Sequence, residues 1–278
     1  MAENKLYVVA TPIGNLADIT QRAVEILNSV DCIAAEDTRH TKRLLNHLTI
    51  EKPLLAAHDH NEDQVAKRII DKLSAGESMA LVSDAGTPLI ADPGYHVTQA
   101  VVEAGFDVVP IPGSCAIIAA LSAAALPTDR FLFDGFLPAK SHGRQAYFQS
   151  ILEQERTVVV YDSPHRITAS LSDLIEVMGD DKQLVVAREI TKTFETFLRG
   201  SASDILKTMQ DDANQQKGEF VIMIRGAQAK KHQEVSQEAI DLTLLLSTEL
   251  PMKKAAALAA THTGYKKNQL YQLALEAK

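Results

Sequence analysis

Residues 79–94 read MALVSDAGTPLIADPG. The run Met79-Ala-Leu-Val82 is short, apolar and bounded by turn residues, the signature of a buried strand. It stops at Ser83-Asp84-Ala85-Gly86-Thr87-Pro88, and a second turn, Ala91-Asp92-Pro93-Gly94, follows at once. Glycine lets a backbone approach a ligand closely, and proline stiffens that approach. In a parallel α/β sheet such a loop lies at the carboxyl edge of its strand, where ligands bind. The plainer reading is an ordinary strand-to-helix connection with Pro93 near the first helical position.

Working outward, the pattern repeats. Leu6–Ala10 reads as a strand and runs into Thr11-Pro-Ile-Gly-Asn15. Cys32–Ala35 runs into Glu36-Asp-Thr-Arg-His40, and Leu54–Ala57 into His58-Asp-His-Asn-Glu62. Val108–Ile111 runs into Pro112-Gly-Ser-Cys-Ala116 and an Ala-rich helix. Helical spacing is expected over Asp18–Val30, over Glu62–Ala75 with Gly76 just past its end, and over Val97–Ala104. Alternating strands and helices predict an α/β fold with a mainly parallel sheet. Five chemistry-bearing loops on one edge of one sheet predict a ligand cleft.

Leu126-Pro-Thr-Asp129 breaks the pattern and marks a boundary. A second α/β region follows. Strands are expected at 131–133, 157–161, 183–187, 193–198 and 219–224, and helices at 168–178 and from a Ser203-Asp204 cap to Met209. Because these strands follow each other closely, the second sheet should be mixed. The expected domains are 1–127, 128–226 and 234–278, with a polar linker over 226–236. The last piece reads as a helix over 238–249, then helix, Gly-containing turn, helix, either a helix-turn-helix or a small helical subdomain that only packs.

The 278 residues carry a net charge of −8, 46% hydrophobic residues and no tryptophan, so the cores must be aliphatic. The overall charge argues against one broad nucleic-acid-coating face. The tail differs: from Pro251 onward five lysines face a single acid, Glu276. Two cysteines in apolar contexts suit a reducing cytoplasm. No signal peptide is evident, and the longest apolar stretch is too short for the ~20 residues a membrane span needs, so no membrane association is expected.

Neither GxGxxG nor GxxxxGK[ST] occurs, so a pyrophosphate-bearing nucleotide is not the first expectation. S-adenosylmethionine, approached by backbone atoms of small-residue loops, fits better. The His58–Glu62 loop could bind a metal, but a hydrogen-bonding or substrate-contacting role is favoured, and no metal is expected. Glu36, Asp37, Arg39 and His40 offer acid/base and anion-binding groups, or simply a charged helix start. No GxSxG occurs, which disfavours a covalent hydrolase.

Taken in order, VATPIGNLADITQRA (9–23), AAEDTRHT (34–41), HDHNE (58–62), VSDAGTPLIADPGY (82–95) and PIPGSCAIIAALSAAALPTDRF (110–131) form one series. GFLPAK (135–140), YDSPHRI (161–167), AREITKTFE (187–195) and the LPMKKAAALAA tail continue it. The series resembles the RsmI-type ribosomal RNA small-subunit cytidine 2′-O-methyltransferases, a branch of the tetrapyrrole methylase superfamily of class III S-adenosylmethionine-dependent methyltransferases. That superfamily opens with GxGPG; here Ala10-Thr-Pro-Ile-Gly14 stands instead, which weighs against a porphyrin-ring methylase. The resemblance implies a homodimer of subunits with two α/β domains of this type and a small C-terminal helix-turn-helix-like domain. It implies S-adenosylmethionine in the cleft between the α/β domains, a cytidine of the decoding region of 16S ribosomal RNA as substrate, and in-line attack of a ribose 2′-oxygen on the sulfonium methyl.

Carried over motif by motif, the cofactor residues would be Pro12, Gly14, Ser83, Asp84, Ala85, Gly86, Thr87, Pro112, Gly113 and Ser114. Base and substrate-positioning roles would fall to Glu36, Asp37, Arg39, His58, His60, Asn61, Glu62 and Lys192, the lysine only if its surroundings lower its pKa. RNA contacts would come from His165, Arg166, Lys253, Lys254, Lys266 and Lys267, with plain helix capping as the other reading of His165 and Arg166. Two alternatives remain at this point: a tetrapyrrole or other small-molecule methyltransferase, and a non-catalytic ribosome-binding module.

Overall fold

A computed structural model describes residues 4–58, 61–227 and 235–277. The stretch Met79–Val82 is the middle strand, β4, of a five-stranded parallel sheet. Its companions are β1 (Leu6–Val9), β2 (Cys32–Ala35), β3 (Leu54–Ala56) and β5 (Val108–Ile111), in the order β3-β2-β4-β1-β5. Every neighbouring pair is parallel. Parallel sheets need cover on both faces, and this one has it. Leu6, Met79 and Leu81 pack on one side against α3 (Glu62–Ser74) and α4 (Tyr95–Glu103), through Ile69, Leu73, Val97 and Val101. Val9, Ile33, Ala80 and Val82 pack on the other against α1 (Gln21–Ser29) and α2 (Thr38–His47), through Leu27 and Leu45. Each such fully buried aliphatic side chain contributes about 1.5–3 kcal/mol.

Local signals set the helix limits. The helix expected from Asp18 starts at Gln21, because the Thr20 hydroxyl accepts the Ala23 N–H and caps it; Leu16–Asp18 forms a separate 3-10 turn. Helix α3 ends as read, with Gly76 at φ +87° just beyond it. Pro93 does not occupy the first turn of α4: Gly94, at φ +124°, is its N-cap and Tyr95 its first residue.

Helix α5 (Ala116–Ala124) leads into a second sheet built from β6 (Phe131–Phe136), β7 (Thr157–Asp162), β8 (Gln183–Arg188), β9 (Thr196–Ser201) and β10 (Phe220–Ile224). Its order is β6-β7-β10-β8-β9, with β6 and β7 parallel and the other pairs antiparallel, the mixed sheet expected. Helices α6 (Ser141–Ser150), α7 (Ile167–Met178) and α8 (Ala202–Asp211) accompany it. Helix α6 escaped the sequence reading; it carries Gly143 and buries only Arg144 and Phe148. Helix α8 begins earlier than the Ser203-Asp204 cap, because the Ser201 hydroxyl accepts the Asp204 N–H.

The apolar face of α5 does not stay with the first sheet. Ile117, Ala120, Leu121 and Ala124 pack on Val159, Val185, Ala187, Val221 and Met223 of the second. The chain accordingly divides into two compact units, Met1–Gly226, which holds both sheets, and Ala227–Lys278. The second unit contains α9 (Gln237–Leu246), α10 (Met252–Thr263) and α11 (Lys267–Glu276) around Ala239, Ala256, Ala259 and Leu270. Gly264, at φ +78°, ends α10 in the left-handed conformation. Most of the expected linker, 228–234, lies outside the described residues. Among the described residues no helix is long and apolar enough to cross a membrane.

Candidate active site

All five singled-out loops lie at the carboxyl edge of the first sheet, because all five strands point the same way. The loops after the central pair, β1 and β4, are tied together. Thr11 N–H donates to Gly86 O at 2.8 Å, and Gly86 N–H donates to Thr11 O at 3.0 Å. Gly86 sits at φ +84°, and a Cβ there would meet Ile13 Cγ2 at 3.3 Å, so the turn requires glycine. The loop after β5 joins them: the Thr87 hydroxyl donates to Ser114 O at 3.0 Å, and a Cβ on Gly113 would lie 2.8 Å from the Cβ of Ala10. The Pro112 carbonyl accepts from the Thr20 hydroxyl. The expected cofactor residues therefore come from loops that form one continuous surface.

Part of that surface faces the second sheet across a cleft of about 180 Å³: of the expected cofactor residues Ala85, Gly86 and Thr87 line it, whereas Gly14, Pro112, Gly113 and Ser114 do not. Ala85, Gly86, Thr87 and Cys115 form part of one wall; Phe136, Tyr161, Asp162 and Glu219 form part of the other. Pro12, Ser83 and Asp84 line a separate recess of about 40 Å³ with His40 and Thr41. The second wall was missed from the sequence, although the YDSPHRI motif passes through it. Tyr161 packs edge-on against Phe133 and Phe136, and burial pushes its hydroxyl pKa up, so it stays protonated. Among the described residues lining the cleft, Asp92, Asp162 and Glu219 carry carboxylates and none carries a basic side chain.

The loops after β2 and β4 exchange hydrogen bonds. Asp84 N–H donates to Glu36 Oε2 at 3.2 Å, and Asp37 N–H donates to Asp84 Oδ1 at 3.1 Å. Asp37 is also the N-cap of α2, accepting the Arg39 N–H, and its carboxylate grips the Arg39 guanidinium at 2.7 Å. The guanidinium holds the Asp37 carboxyl far below the usual carboxylate range. The Arg39 side chain is 88% exposed. Of the two readings of this motif, the charged helix start is thus realised in Asp37.

In the loop after β3, Asn61 Oδ1 accepts the His58 N–H and Asn61 Nδ2 donates to Ala56 O. Glu62 is buried, and its two carboxylate oxygens accept the N–H groups of Gly94 and His96 at 3.1 and 2.9 Å. It thereby supports the start of α4 rather than presenting a free carboxylate. His60 lies outside the described residues. Among the described residues no group of three or more His, Cys, Asp or Glu is arranged to hold a metal ion.

Lys192 Nζ pairs with Glu189 at 2.9 Å and with Glu219 at 2.8 Å. Burial pulls its pKa down, but the two carboxylates outweigh burial and raise it. The condition for a general base fails, and Lys192 is a fixed cation at neutral pH. His165 is exposed, whereas Arg166 turns inward to Asp162 Oδ1 at 2.5 Å and to the Leu137 carbonyl. Lys253, Lys254, Lys266 and Lys267 are all exposed on the C-terminal helical unit.

Two fused α/β sheets with a glycine-bearing cleft between them, followed by a helical unit, define a class of methyltransferase. The chain belongs to the tetrapyrrole (corrin/porphyrin) methylase family, whose model matches residues 5–206. Residues 233–278 match the RsmI C-terminal HTH domain. The chain is 52% identical to the ribosomal RNA small subunit methyltransferase I of Escherichia coli O157:H7, over 99% of this chain and 96% of that protein. It is 51% identical to the protein of the same name from Pseudomonas aeruginosa, over 99% and 98%. Among solved structures, a cobalamin biosynthetic enzyme, cobalt precorrin-4 methyltransferase, superimposes with a TM-score of 0.59 at 17% identity, over 80% of this chain and 95% of that one. Uroporphyrin-III-C-methyltransferase from Thermus thermophilus gives 0.57 at 17% identity, over 80% and 94%. The chain is therefore an enzyme of the methyltransferase class, in a family that generally uses S-adenosylmethionine.

Proposed function

We propose that this chain transfers a methyl group from S-adenosylmethionine to the ribose 2′-hydroxyl of a cytidine in the decoding region of 16S ribosomal RNA. It does so in the cytoplasm, as a homodimer acting on the small ribosomal subunit. The observation that supports this reading most is the chemistry of the cleft. Its wall is largely apolar, bears three carboxylates, and among the described lining residues bears no basic side chain. With Asp162 held by Arg166 and Glu219 by Lys192, this described lining offers no free cation to a phosphate and suits a donor that carries none. The names of the full-length relatives supply the substrate class.

The donor, when bound, supplies a methyl group on a sulfonium sulfur, and no metal is needed. The protein's share is placement. Ala85, Gly86 and Thr87 present backbone close to the ligand, while Pro12, Gly14, Ser83, Asp84, Pro112, Gly113 and Ser114 fix the shape and packing of those loops. Holding oxygen and methyl in near-attack geometry can supply much of the lowering of the barrier. The Glu36–Asp84–Asp37 hydrogen bonds hold the loops after β2 and β4 against each other beside the smaller recess, where the substrate approaches. Arg39, His58 and His165, with Lys253, Lys254, Lys266 and Lys267, are proposed to meet RNA, the lysines through phosphate.

The test is methylation of small subunits with a labelled donor, followed by mass mapping of the modified nucleotide. We expect 2′-O-methylcytidine. A methyl group on a base, or labelling of a tetrapyrrole in place of RNA, would overturn the reading.

A further inference from the structure

Strand β6 ends in an irregularity that turns an aromatic ring toward the cleft. Phe133 pairs with Val159 and Phe136 with Tyr161, so three steps along β6 match two along β7. In a regular strand, residues three apart point to opposite faces. The extra residue cancels that alternation, as a β-bulge does, and Gly135 at φ +67° supplies the bend. Both rings consequently meet Tyr161 edge-on, at centroid distances of 5.0 Å for Phe133 and 5.3 Å for Phe136.

The neighbours of Phe136 are fixed. The Tyr147 hydroxyl donates to Asp134 Oδ2 at 2.8 Å, and buried Leu137 donates its N–H to Tyr161 O at 3.0 Å. Phe136 itself lines the cleft yet is 58% exposed, so its ring stands where the cleft opens to water. The edge-on contact with Tyr161 occupies at most one face of that ring. An exposed apolar side chain is ordinary on a protein surface. An aromatic ring aimed by a bulge into the lining of a functional cleft is not.

The substrate that must reach the donor is a ribose of a folded RNA. A space of about 180 Å³ does not admit a stacked strand. The target nucleotide therefore enters singly, and its base leaves the stack at a cost of about a few kcal/mol. Proteins that splay RNA bases out restack them on aromatic side chains. Asp84 lines the small recess and Ala85 the cleft, so the two openings lie one residue apart along the same loop.

We propose that Phe136 is the stacking platform for the base of the target nucleotide. This rests on the RNA substrate assigned above. Every base has a π-face, so the ring accepts any of them. It holds the extruded nucleotide, and with it the ribose, without selecting cytidine.

The test separates a flat ring from mere bulk. Phe136→Tyr keeps the ring, Phe136→Leu keeps apolar volume, and Phe136→Ala keeps neither. In single turnovers with the enzyme in saturating excess over small subunits, Phe136→Tyr should methylate within about twofold of the unaltered rate, and Phe136→Leu and Phe136→Ala about tenfold or more slowly. Affinity for the subunit should change little, because the wider contacts that dock the RNA remain. Calorimetry with S-adenosylhomocysteine should show unchanged binding. Full activity in Phe136→Leu overturns the proposal. So does a loss of S-adenosylhomocysteine affinity that tracks the rate, or a changed oligomeric state in sedimentation, which would make the ring a subunit contact; each of these leaves the RNA substrate standing. If the unaltered chain methylates no RNA, the substrate reading falls and this proposal with it.

The chain has no tryptophan, so Phe136→Trp gives an optical probe that does not depend on the other variants folding. With S-adenosylhomocysteine present, small subunits should quench its emission, measured against the same mixture with the unaltered chain. An unmoved spectrum overturns the proposal.

Discussion

Gly14 of the first sheet's loop and Lys192 of the second sheet's loop lie in such close contact that a Cβ at position 14 would fall on the lysine side chain, with Thr191 Oγ1 only 2.9 Å away. The lysine cannot simply swing aside, because Glu189 and Glu219 both hold its ammonium. Glycine at 14 is thus a packing requirement between the two sheets.

Gly14→Val should therefore destabilise the protein by about 1–3 kcal/mol, the usual range for overpacking. The same change made in a Lys192→Ala background should be milder. Denaturant unfolding of the two singles and the double variant measures this coupling.

The Lys192 cluster also gives a pH dependence. For Glu189 burial acts to raise the pKa, but the Lys192 and Glu219 hydrogen bonds outweigh it and the net shift is downward; for Lys192 the net shift is upward. A depressed carboxylate contributes stability above its unfolded pKa and loses it as pH falls through the folded one. A raised amine contributes below its unfolded pKa and loses it as pH rises through the folded one. The contribution should be whole between the ordinary values of 4.5 and 10.5 and fade outside them. Thermal melts against pH should show the fade on the acid side, and Glu189→Gln should remove its share of it.

Arg144 and Asp173 form a buried ion pair at 2.7 Å, with Ser141 and the Ala139 carbonyl completing its hydrogen bonds. Removing one partner strands a buried charge. Arg144→Ala or Asp173→Ala should cost about 3–5 kcal/mol in urea unfolding. Donor affinity of the folded fraction should be unchanged, since neither residue lines the cleft.

Glu62 separates a supporting role from a chemical one. Glu62→Ala removes the acceptor of the Gly94 and His96 amides and should cost about 1–3 kcal/mol. Glu62→Gln keeps an oxygen and should retain most of the turnover at saturating RNA. Loss of turnover in a Gln variant with a normal melt would instead assign it to the chemistry.

Changing Lys253, Lys254, Lys266 and Lys267 together to Glu should weaken RNA capture and flatten its salt dependence, while leaving donor affinity alone. Titrations with small subunits at several salt concentrations, alongside calorimetry with the donor, separate the two effects.

Much of the first sheet was legible because its strands are short apolar runs punctuated by Gly and Pro, and strands β1 to β5 fall where the runs do. The five loops were legible for the same reason. What the sequence did not reveal depends on partners far away in the chain. Glu62 reads as a reactive carboxylate until Gly94 and His96 take up both oxygens. Arg166 reads as a free cation until Asp162 claims it. The second cleft wall draws on Asp162 and Ile190, which lie in quoted motifs, and on Glu219, but nothing local shows that they meet; antiparallel pairing of β10 with β7 and β8 brings their segments together. Helix α6 carried too weak an apolar face to stand out.

The way α5 is shared sets a limit on rearranging this molecule. A fragment cut to begin at residue 128 would carry every strand of the second sheet, yet it would present Val159, Val185, Ala187, Val221 and Met223 bare to water. Such a piece should aggregate unless α5 is restored to it. Grafting one lobe onto a foreign partner would have to transplant residues 116–124 along with the strands they cover.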